Sequence, residues 1–230
     1  YDDAIKKAYE KENEGYTHQA IEILNQILEK NPEDFNALML LAQNFIEYGW
    51  FMQSFHSLGK ASKINPQDPF VSGLMGELFR ILGLNHHAKT MFEDAIEKNH
   101  PESERISELV KSLEDTVQEK LFKFVPNDDG DHGFRKLDSD ENLKIQMNLK
   151  IKTLADKEFI KNNLRTAYHI FRGLAVYSTD INGLEGMIRV LIKEKKFEEA
   201  LRGIEDTKNR HPDWPNYEIY KNMVKAETED

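Results

Sequence analysis

A run of acidic residues and one histidine, at positions 128–132, has residue types that could bind a metal ion. A calcium-binding loop needs oxygen ligands at alternate positions, a glycine at the sixth position and a glutamate at the twelfth. Counting from Asn127 places His132 at the sixth position, and counting from Asp128 places Ser139 at the twelfth. Because neither frame supplies the required ligands, we interpret this run as part of a solvated loop and predict no metal site.

A second candidate for metal binding is the adjacent pair His86 and His87. Neighbouring side chains on a helix point about 100° apart, so this pair cannot share an ion as an i, i+4 pair can. We interpret the two residues as surface histidines in a turn. The chain has no cysteine, which excludes disulfides and thiolate chemistry. It also has no phosphate-binding loop, nucleophile elbow or His-Glu-x-x-His motif, so we expect neither enzyme activity nor a cofactor.

The charge of the chain indicates the class of its partners. The formal net charge is -10 at pH 7 and the pI is near 5.4, which disfavours binding to nucleic acid or to an anionic membrane. The strongest basic run, at 193–196, is preceded by Lys150 and Lys152 and accompanied by glutamates, so we interpret it as a solvated face. No stretch approaches the ~20 apolar residues that a membrane span requires. We therefore predict a protein partner.

A period of 34 residues organises the first part of the chain. Glycine, alanine, leucine and proline recur at fixed spacing, with serine for alanine in the second copy and a proline one place late in the third. The matching positions are Gly15, Ala20, Leu24 and Pro32, then Gly49, Ser54, Leu58 and Pro66, then Gly83, Ala88, Phe92 and Pro101. Such a period is typical of stacked repeats, in which each unit buries its apolar face against its neighbours.

Apolar residues recur at helical spacing on both sides of each glycine, which predicts a helix, a tight turn and a second helix. In the second copy the residues that carry the pattern are Leu41, Ala42, Phe45, Gly49, Phe51, Leu58, Ala61 and Pro66. This pattern resembles the tetratricopeptide repeat (TPR). It departs from that family at Leu38 and Ser72, where tryptophan is usual, and at Lys11, where an aromatic residue is expected. The resemblance implies an all-α fold: a TPR-type solenoid of helical hairpins in a right-handed superhelix.

The later chain contains weaker versions of the same pattern. We predict a helix from Ser103 to about Val125, which is either a cap or the first helix of a degenerate repeat, and then an acidic loop over 126–141. Two further repeats follow, with Asn162 in place of the turn glycine of the fourth. A capping helix over 216–227 ends the chain. The predicted domains are therefore 1–125, 126–141 and 142–230, and the sequence leaves open whether the repeats form one superhelix or two lobes.

In TPR proteins the concave face is lined by residues of the first helix of each hairpin, away from the packing stripe. The corresponding residues here are Ile5, Tyr9, Asn36, Met39, Leu40, Gln43, Phe70, Leu74, Glu77 and Arg80. The TPR co-chaperones of heat-shock proteins bind the C-terminal carboxylate of their partner with Lys, Asn and Arg on this face. Ile5, Tyr9 and Leu40, together with two apolar residues of the third copy, hold the equivalent places, so that clamp is absent.

The mostly apolar groove suits an amphipathic helix or an extended apolar segment. We therefore predict a protein-interaction scaffold or adaptor that binds a peptide or helix in this groove. Three alternatives remain: an architectural or regulatory part of a larger protein, a chaperone for secreted or unfolded clients, and a groove covered by the chain itself. Self-association is also left open. The chain starts at Tyr1, which suggests a trimmed terminus, and the compartment is unknown, with the cytoplasm favoured.

Overall fold

The computed structural model describes residues 2–113, 141–178 and 180–228. Over these residues the secondary structure is helical, without a strand, which confirms the predicted all-α class. The helices are α1 (Asp2–Asn13), α2 (Thr17–Lys30), α3 (Phe35–Tyr48), α4 (Phe51–Ile64), α5 (Pro69–Ile81), α6 (Asn85–Glu97), α7 (Ser103–Ser112), α8 (Glu141–Ile160), α9 (Leu164–Ser178), α10 (Ile181–Lys193), α11 (Phe197–Arg210) and α12 (Tyr217–Thr228). None of these helices is both long enough and apolar enough to cross a membrane.

The chain divides into two compact units, residues 1–147 and residues 148–230, and the division falls within α8. The predicted acidic loop over 126–141 lies outside the described residues except for Glu141, which begins α8. The acidic run at 128–132 therefore also lies outside them. The division of the chain at this loop stays a prediction.

Glycine allows the tight turn inside each of the first three hairpins. Gly15, Gly49 and Gly83 have φ values of 80°, 83° and 70°, a left-handed region that residues with a Cβ rarely adopt. Asn162 has φ 66° at the turn between α8 and α9, which confirms it in the place of a turn glycine. Lys195, between α10 and α11, has φ 61°. The turn conformation is thus shared by all five hairpins, although only three use glycine.

An aspartate begins the first helix of several hairpins. The Asp34 carboxylate accepts a hydrogen bond of 2.9 Å from the backbone N–H of Ala37 and caps α3. The Asn31 side-chain amide donates to the same carboxylate at 3.3 Å. Asp68 and Asp180 cap α5 and α10 in the same way. Because an N-cap satisfies backbone donors that the helix cannot, these aspartates fix where α3, α5 and α10 begin.

Small residues bring the paired helices close together, as predicted. Ala8 is fully buried, and the Ser54 hydroxyl donates to the backbone carbonyl of Ala42 at 2.9 Å across the second hairpin. A Cβ added at Gly76 would lie 2.5 Å from a ring carbon of Phe92. Since such a contact is shorter than packing allows, the separation of α5 and α6 depends on glycine at this position.

The third hairpin replaces the usual tryptophan with a polar network. The buried Ser72 hydroxyl donates to Asp94, and the Lys98 ammonium donates to Ser72 Oγ at 3.1 Å and pairs with Asp94. By contrast, Leu38 at the same register in the second hairpin is 2% exposed and belongs to the apolar core. The departure at Ser72 therefore exchanges apolar packing for hydrogen bonds between α5 and α6, which satisfy a buried hydroxyl.

Helix α7 is shorter than predicted. It ends at Ser112, and Leu113 has extended backbone angles of φ -79° and ψ 124°. The Ser112 hydroxyl donates to the backbone carbonyl of Leu109 at 2.7 Å, a local bond that competes with helical hydrogen bonding. The prediction of one helix from Ser103 to about Val125 is wrong at this point, and residues 114–125 lie outside the described residues.

The prediction that the histidine pair lies at the surface of a turn is also wrong. His86 and His87 lie in the first turn of α6, half-buried, rather than on a surface turn. The His87 ring packs 5.4 Å from the ring of Phe79 on α5. The reason is that α6 begins at Asn85, immediately after the Gly83 turn, so the pair already belongs to the hairpin.

In the second unit, α12 covers the apolar side of the last hairpin. Tyr220 and Val224 are buried together with Trp214, and they pack on Ile188 of α10 and residues of α11. Met223, which lies three residues after Tyr220 and is therefore expected on the same face, is 44% exposed. The helix therefore packs on the last hairpin through Tyr220 and Val224, four residues apart, and not through Met223.

Candidate partner-binding groove

The first unit contains a concave cavity of about 950 Å³ between its first helices and α7. Nine of the ten residues predicted from the sequence line it: Ile5, Tyr9, Asn36, Met39, Leu40, Gln43, Phe70, Leu74 and Glu77. We call this cavity the groove. The volume lies at the upper end of the range for small-ligand sites, and the residues that line the groove come from five helices, α1, α3, α5, α6 and α7.

Two aromatic residues from different helices line the groove. Tyr9 of α1 is 51% exposed, and Phe70 of α5 is 49% exposed. The Phe70 ring packs edge-on against the ring of His100, with centroids 4.8 Å apart. Met39 of α3 lies between them along the chain and is half-buried. The groove therefore presents partly exposed apolar side chains on rigid helices, which is the kind of surface that a partner covers.

Leu40 differs from the other predicted groove residues. It is 3% exposed and belongs to the core cluster with Leu41, Phe45 and Ala8. Its side chain supports the floor of the groove but offers little surface to a partner. On α3 it lies at the border between the packing stripe and the concave face, and burial against α1 and α2 moves it to the core side.

Arg80 is the predicted residue that does not line the groove. Its guanidinium binds Glu77, one turn earlier on α5, with a distance of 2.8 Å from Nε to a carboxylate oxygen. This hydrogen bond raises the pKa of Arg80 above its ordinary value. The positive charge of Arg80, which we expected at the groove, is therefore paired with the carboxylate of Glu77.

Helix α7 forms a wall of the groove that the sequence reasoning did not assign. Arg105, Ile106 and Leu109 line the cavity together with His100 from the preceding turn. The signal was present, because α7 follows the third hairpin where the first helix of another repeat would stand. The alternative that the chain itself covers the groove stays a prediction: among the described residues α7 borders the groove, and a cavity of about 950 Å³ lies beside it.

The charged residues around the groove are mainly acidic. Glu47, Asp68, Glu77 and Glu102 line it, against the single arginine Arg105 among its lining residues. Arg105 pairs with Glu102, three residues earlier. Glu12 of α1 adds a carboxylate beside Glu47, and burial, together with the charge of Glu47, raises the Glu12 pKa. The groove thus combines an apolar floor with a negative edge.

In the second unit, lysines of the basic run at 193–196 make local contacts with neighbouring groups. The Lys193 ammonium lies 4.5 Å from the ring centroid of Phe159 and donates to that residue's carbonyl at 3.2 Å. Lys196 pairs with Glu194 at 2.8 Å. Asp156 binds Arg189 at 2.8 Å. These contacts agree with a solvated face of paired charges.

No known family model matches the chain, and no curated protein matches its sequence. Several solved structures are similar over most of its length. A tetratricopeptide repeat protein from Parabacteroides merdae is 18% identical with a TM-score of 0.45, covering 99% of this chain and 86% of that one. PilF of Pseudomonas aeruginosa is 15% identical with a TM-score of 0.45 and 96% coverage of both chains.

The TPR domain of P58(IPK) is 12% identical with a TM-score of 0.47, and covers 98% of this chain and 64% of that one. All three similarities are too distant to carry an argument about function. The class of protein rests on the chain itself, namely the 34-residue period and the helical hairpins with left-handed turns. By these features the protein has a TPR-type helical-repeat fold.

Proposed function

We propose that this chain is a non-enzymatic protein-interaction module whose N-terminal groove binds a segment of a partner protein. The observation that carries the proposal is the cavity of about 950 Å³ with Tyr9 and Phe70 each about half exposed at its sides. Aromatic side chains bury about 150–250 Å² each when covered, and they dominate the energetics of interfaces. A partner that covers the exposed half of one such ring gains about 2 kcal/mol at about 25 cal/mol per Å².

The residues around the groove offer little support for catalysis. Among the described residues, no group of three histidine, aspartate or glutamate side chains is arranged to hold a metal ion. Of the carboxylates that line the groove, Asp68 caps a helix, and Glu77 and Glu102 pair with arginines. Covering apolar area with a few polar groups that fix the register is the recognition mode that this surface fits best.

A display library of random 15-residue peptides provides a probe for the groove. Peptides selected on the wild-type chain are synthesised with a fluorescent label, and their Kd is measured by anisotropy. The variant carries Tyr9→Ser, Met39→Ser and Phe70→Ser together. We expect it to weaken binding by at least 100-fold, since a loss of about 1.4 kcal/mol is already tenfold and two aromatic contacts are removed.

The matched control removes the same amount of exposed apolar surface elsewhere. It carries Tyr16→Ser, Ile64→Ser and Ile219→Ser, at residues that are 53%, 40% and 56% exposed and that do not line the groove. Circular dichroism is used to check that both variants keep their helices before their affinities are compared. Equal affinity of the selected peptides for the groove variant and the wild type would contradict the proposal and favour an architectural role through other faces.

A further inference from the structure

We infer that His100 selects the partner segment: its Nε2–H group donates a hydrogen bond to a backbone carbonyl of an extended apolar segment that lies in the groove. The inference rests on the proposed function, because it concerns the segment that occupies the groove. It commits to one of the two conformations that the sequence leaves open, an extended segment rather than an amphipathic helix. It is supported by the orientation of the His100 ring, by its contact with Phe70, and by the negative charge around the groove.

The His100 ring is held in one orientation and in one tautomer. Its Nδ1 atom accepts a hydrogen bond of 3.1 Å from the backbone N–H of Glu102, the residue before α7. Since a backbone N–H can only donate, Nδ1 carries no proton in this arrangement, and the neutral ring carries its proton on Nε2. The ring of Phe70 packs edge-on against it, with centroids 4.8 Å apart. The ring therefore presents a fixed N–H donor at Nε2.

This donor is available to a partner. His100 is half-buried and lines the groove, and its Nε2 atom makes no hydrogen bond with the described residues. The same edge of the ring faces Gly73 of α5, which also lines the groove. A Cβ added at Gly73 would lie 3.2 Å from Nε2 and 3.3 Å from Cδ2 of His100, so the glycine leaves room for the ring in this orientation. The donor thus lies at the surface of the groove beside α5.

The charges around the groove disfavour an anionic acceptor. Asp68, Glu77 and Glu102 all line the groove. Arg105, which also lines it, is already paired with Glu102. A partner carboxylate at His100 would be repelled by these groups and would find no unpaired cation among the described lining residues. The acceptor is therefore an uncharged oxygen.

The contact between His100 and Phe70 identifies this oxygen as part of a backbone. Phe70 is 49% exposed, and an apolar side chain of the partner gains free energy by covering it. Because the two rings touch, the acceptor for His100 lies close to that side chain, and an apolar residue offers no acceptor other than its backbone carbonyl. Inside a helix that carbonyl is bonded to an N–H four residues later, whereas an extended segment leaves it free. The arrangement therefore fits an extended segment.

The test compares two substitutions that separate the two nitrogen atoms of the ring. His100→Asn keeps an acceptor near the position of Nδ1 and removes the donor at Nε2, whereas His100→Gln keeps an amide N–H donor near the position of Nε2. The Kd of peptides selected from the display library is measured for each chain by anisotropy. A neutral hydrogen bond contributes about three- to tenfold to affinity, so we expect His100→Asn to weaken binding by that factor and His100→Gln to stay within about twofold of wild type.

The same two variants reveal a purely structural role. If His100 only holds the start of α7 through Nδ1, His100→Asn binds like the wild type and His100→Gln binds more weakly. That result, or an equal loss in both variants, would overturn the inference. His18→Asn is the matched control, because the His18 side chain is 53% exposed and does not line the groove, and it should leave the Kd unchanged. Urea unfolding of all three variants measures any change in stability separately from affinity.

A second measurement tests the backbone carbonyl of the partner. In a set of synthetic peptides, one peptide bond at a time is replaced by a trans-alkene, which keeps the extended shape and removes the carbonyl. The alkene that removes the carbonyl bound by His100 should weaken binding to the wild-type chain and add little to the loss in the His100→Asn chain. A set in which no position shows this coupling would overturn the inference, because the acceptor would then not be a backbone carbonyl.

The outcomes separate this inference from the proposed function. Peptides that lose affinity for the Tyr9, Met39 and Phe70 variant but bind the His100→Asn chain as tightly as the wild type overturn this inference and leave the groove as the binding site. Peptides that are indifferent to that groove variant overturn both.

Discussion

Replacing Gly183 with alanine should destabilise the second unit, whereas the same substitution at Gly203 should not. Gly183 lies in the first turn of α10 against α9. A Cβ at this position would stand 2.5 Å from the backbone nitrogen of Ala175 and 2.8 Å from the carbonyl oxygen of Phe171. Backbone atoms cannot rotate away as a side chain can, so the two helices would have to separate.

The expected size follows from two opposing effects. Overpacking a well-packed core costs about 1–3 kcal/mol, and the contact with backbone places Gly183→Ala at the upper end. Alanine recovers up to about 1 kcal/mol over glycine through helix propensity, which leaves a net loss of about 2 kcal/mol. At Gly203 the nearest atom to an added Cβ is Ile188 Cγ1 at 3.4 Å, an ordinary contact, so propensity alone acts and stability rises by about 0.5–1 kcal/mol.

The assay is urea unfolding monitored by circular dichroism, in which a change of midpoint without a change of m-value reports a change of stability. Thermal melts are recorded in parallel. For a unit of this size, the loss at Gly183 corresponds to a Tm about 10 °C lower. A Gly183→Ala chain as stable as wild type would show that α9 and α10 do not approach as closely as the structure places them. A destabilised Gly203→Ala chain would contradict the opposite sign predicted for that site.

Three further predictions concern caps and titration. Asp34→Ala removes the cap of α3 and should cost about 1 kcal/mol in urea unfolding, with Asp34→Asn retaining most of the stability; an unchanged Asp34→Ala chain would contradict the capping role. The folded chain holds the Glu12 proton more tightly than the unfolded chain does, so stability falls as pH rises through the range just above the ordinary glutamate pKa. Glu12→Gln should therefore be more stable than wild type at pH 7 but not at pH 3, and equal differences at both pH values would refute this. Burial, helped by the charge of Glu185, raises the pKa of Tyr220 to about 12, so stability should fall between pH 10 and 12; Tyr220→Phe should remove that part of the alkaline loss, and identical pH profiles would exclude it.

The hairpins could be predicted because their signals are local and repeated. Glycine at 34-residue intervals marks turns with positive φ, and Asn162 was recognised as a substitute because asparagine tolerates this conformation. Lys195 adopts the same conformation without any sequence signal, since the flanking helices impose it. The aspartate caps could also have been predicted, because the sequence Asn-Pro-x-Asp precedes both α3 and α5. The prediction used only the proline of this sequence.

The groove could be predicted as a set of positions but not as a set of available side chains. Periodicity identifies the concave face, and nine of the ten residues do meet at one cavity. It cannot show that Leu40 is buried against neighbouring helices or that Arg80 is held by Glu77, because both depend on contacts between specific side chains. The length of α7 was misjudged for a related reason: apolar spacing continues past Ser112 although the backbone leaves the helix there.

Photo-crosslinking reports where a bound segment lies, so it directly tests whether the partner binds in the groove. A photoreactive benzoyl-phenylalanine is introduced at Phe70 in the groove or at Tyr16 outside it, positions of nearly equal exposure at 49% and 53%. Each chain is irradiated with the same selected peptide and the products are mapped by mass spectrometry. We expect crosslinks from position 70 and none above background from position 16. Equal crosslinking from both positions, or crosslinking from position 16 alone, would show that the groove is not where the partner binds.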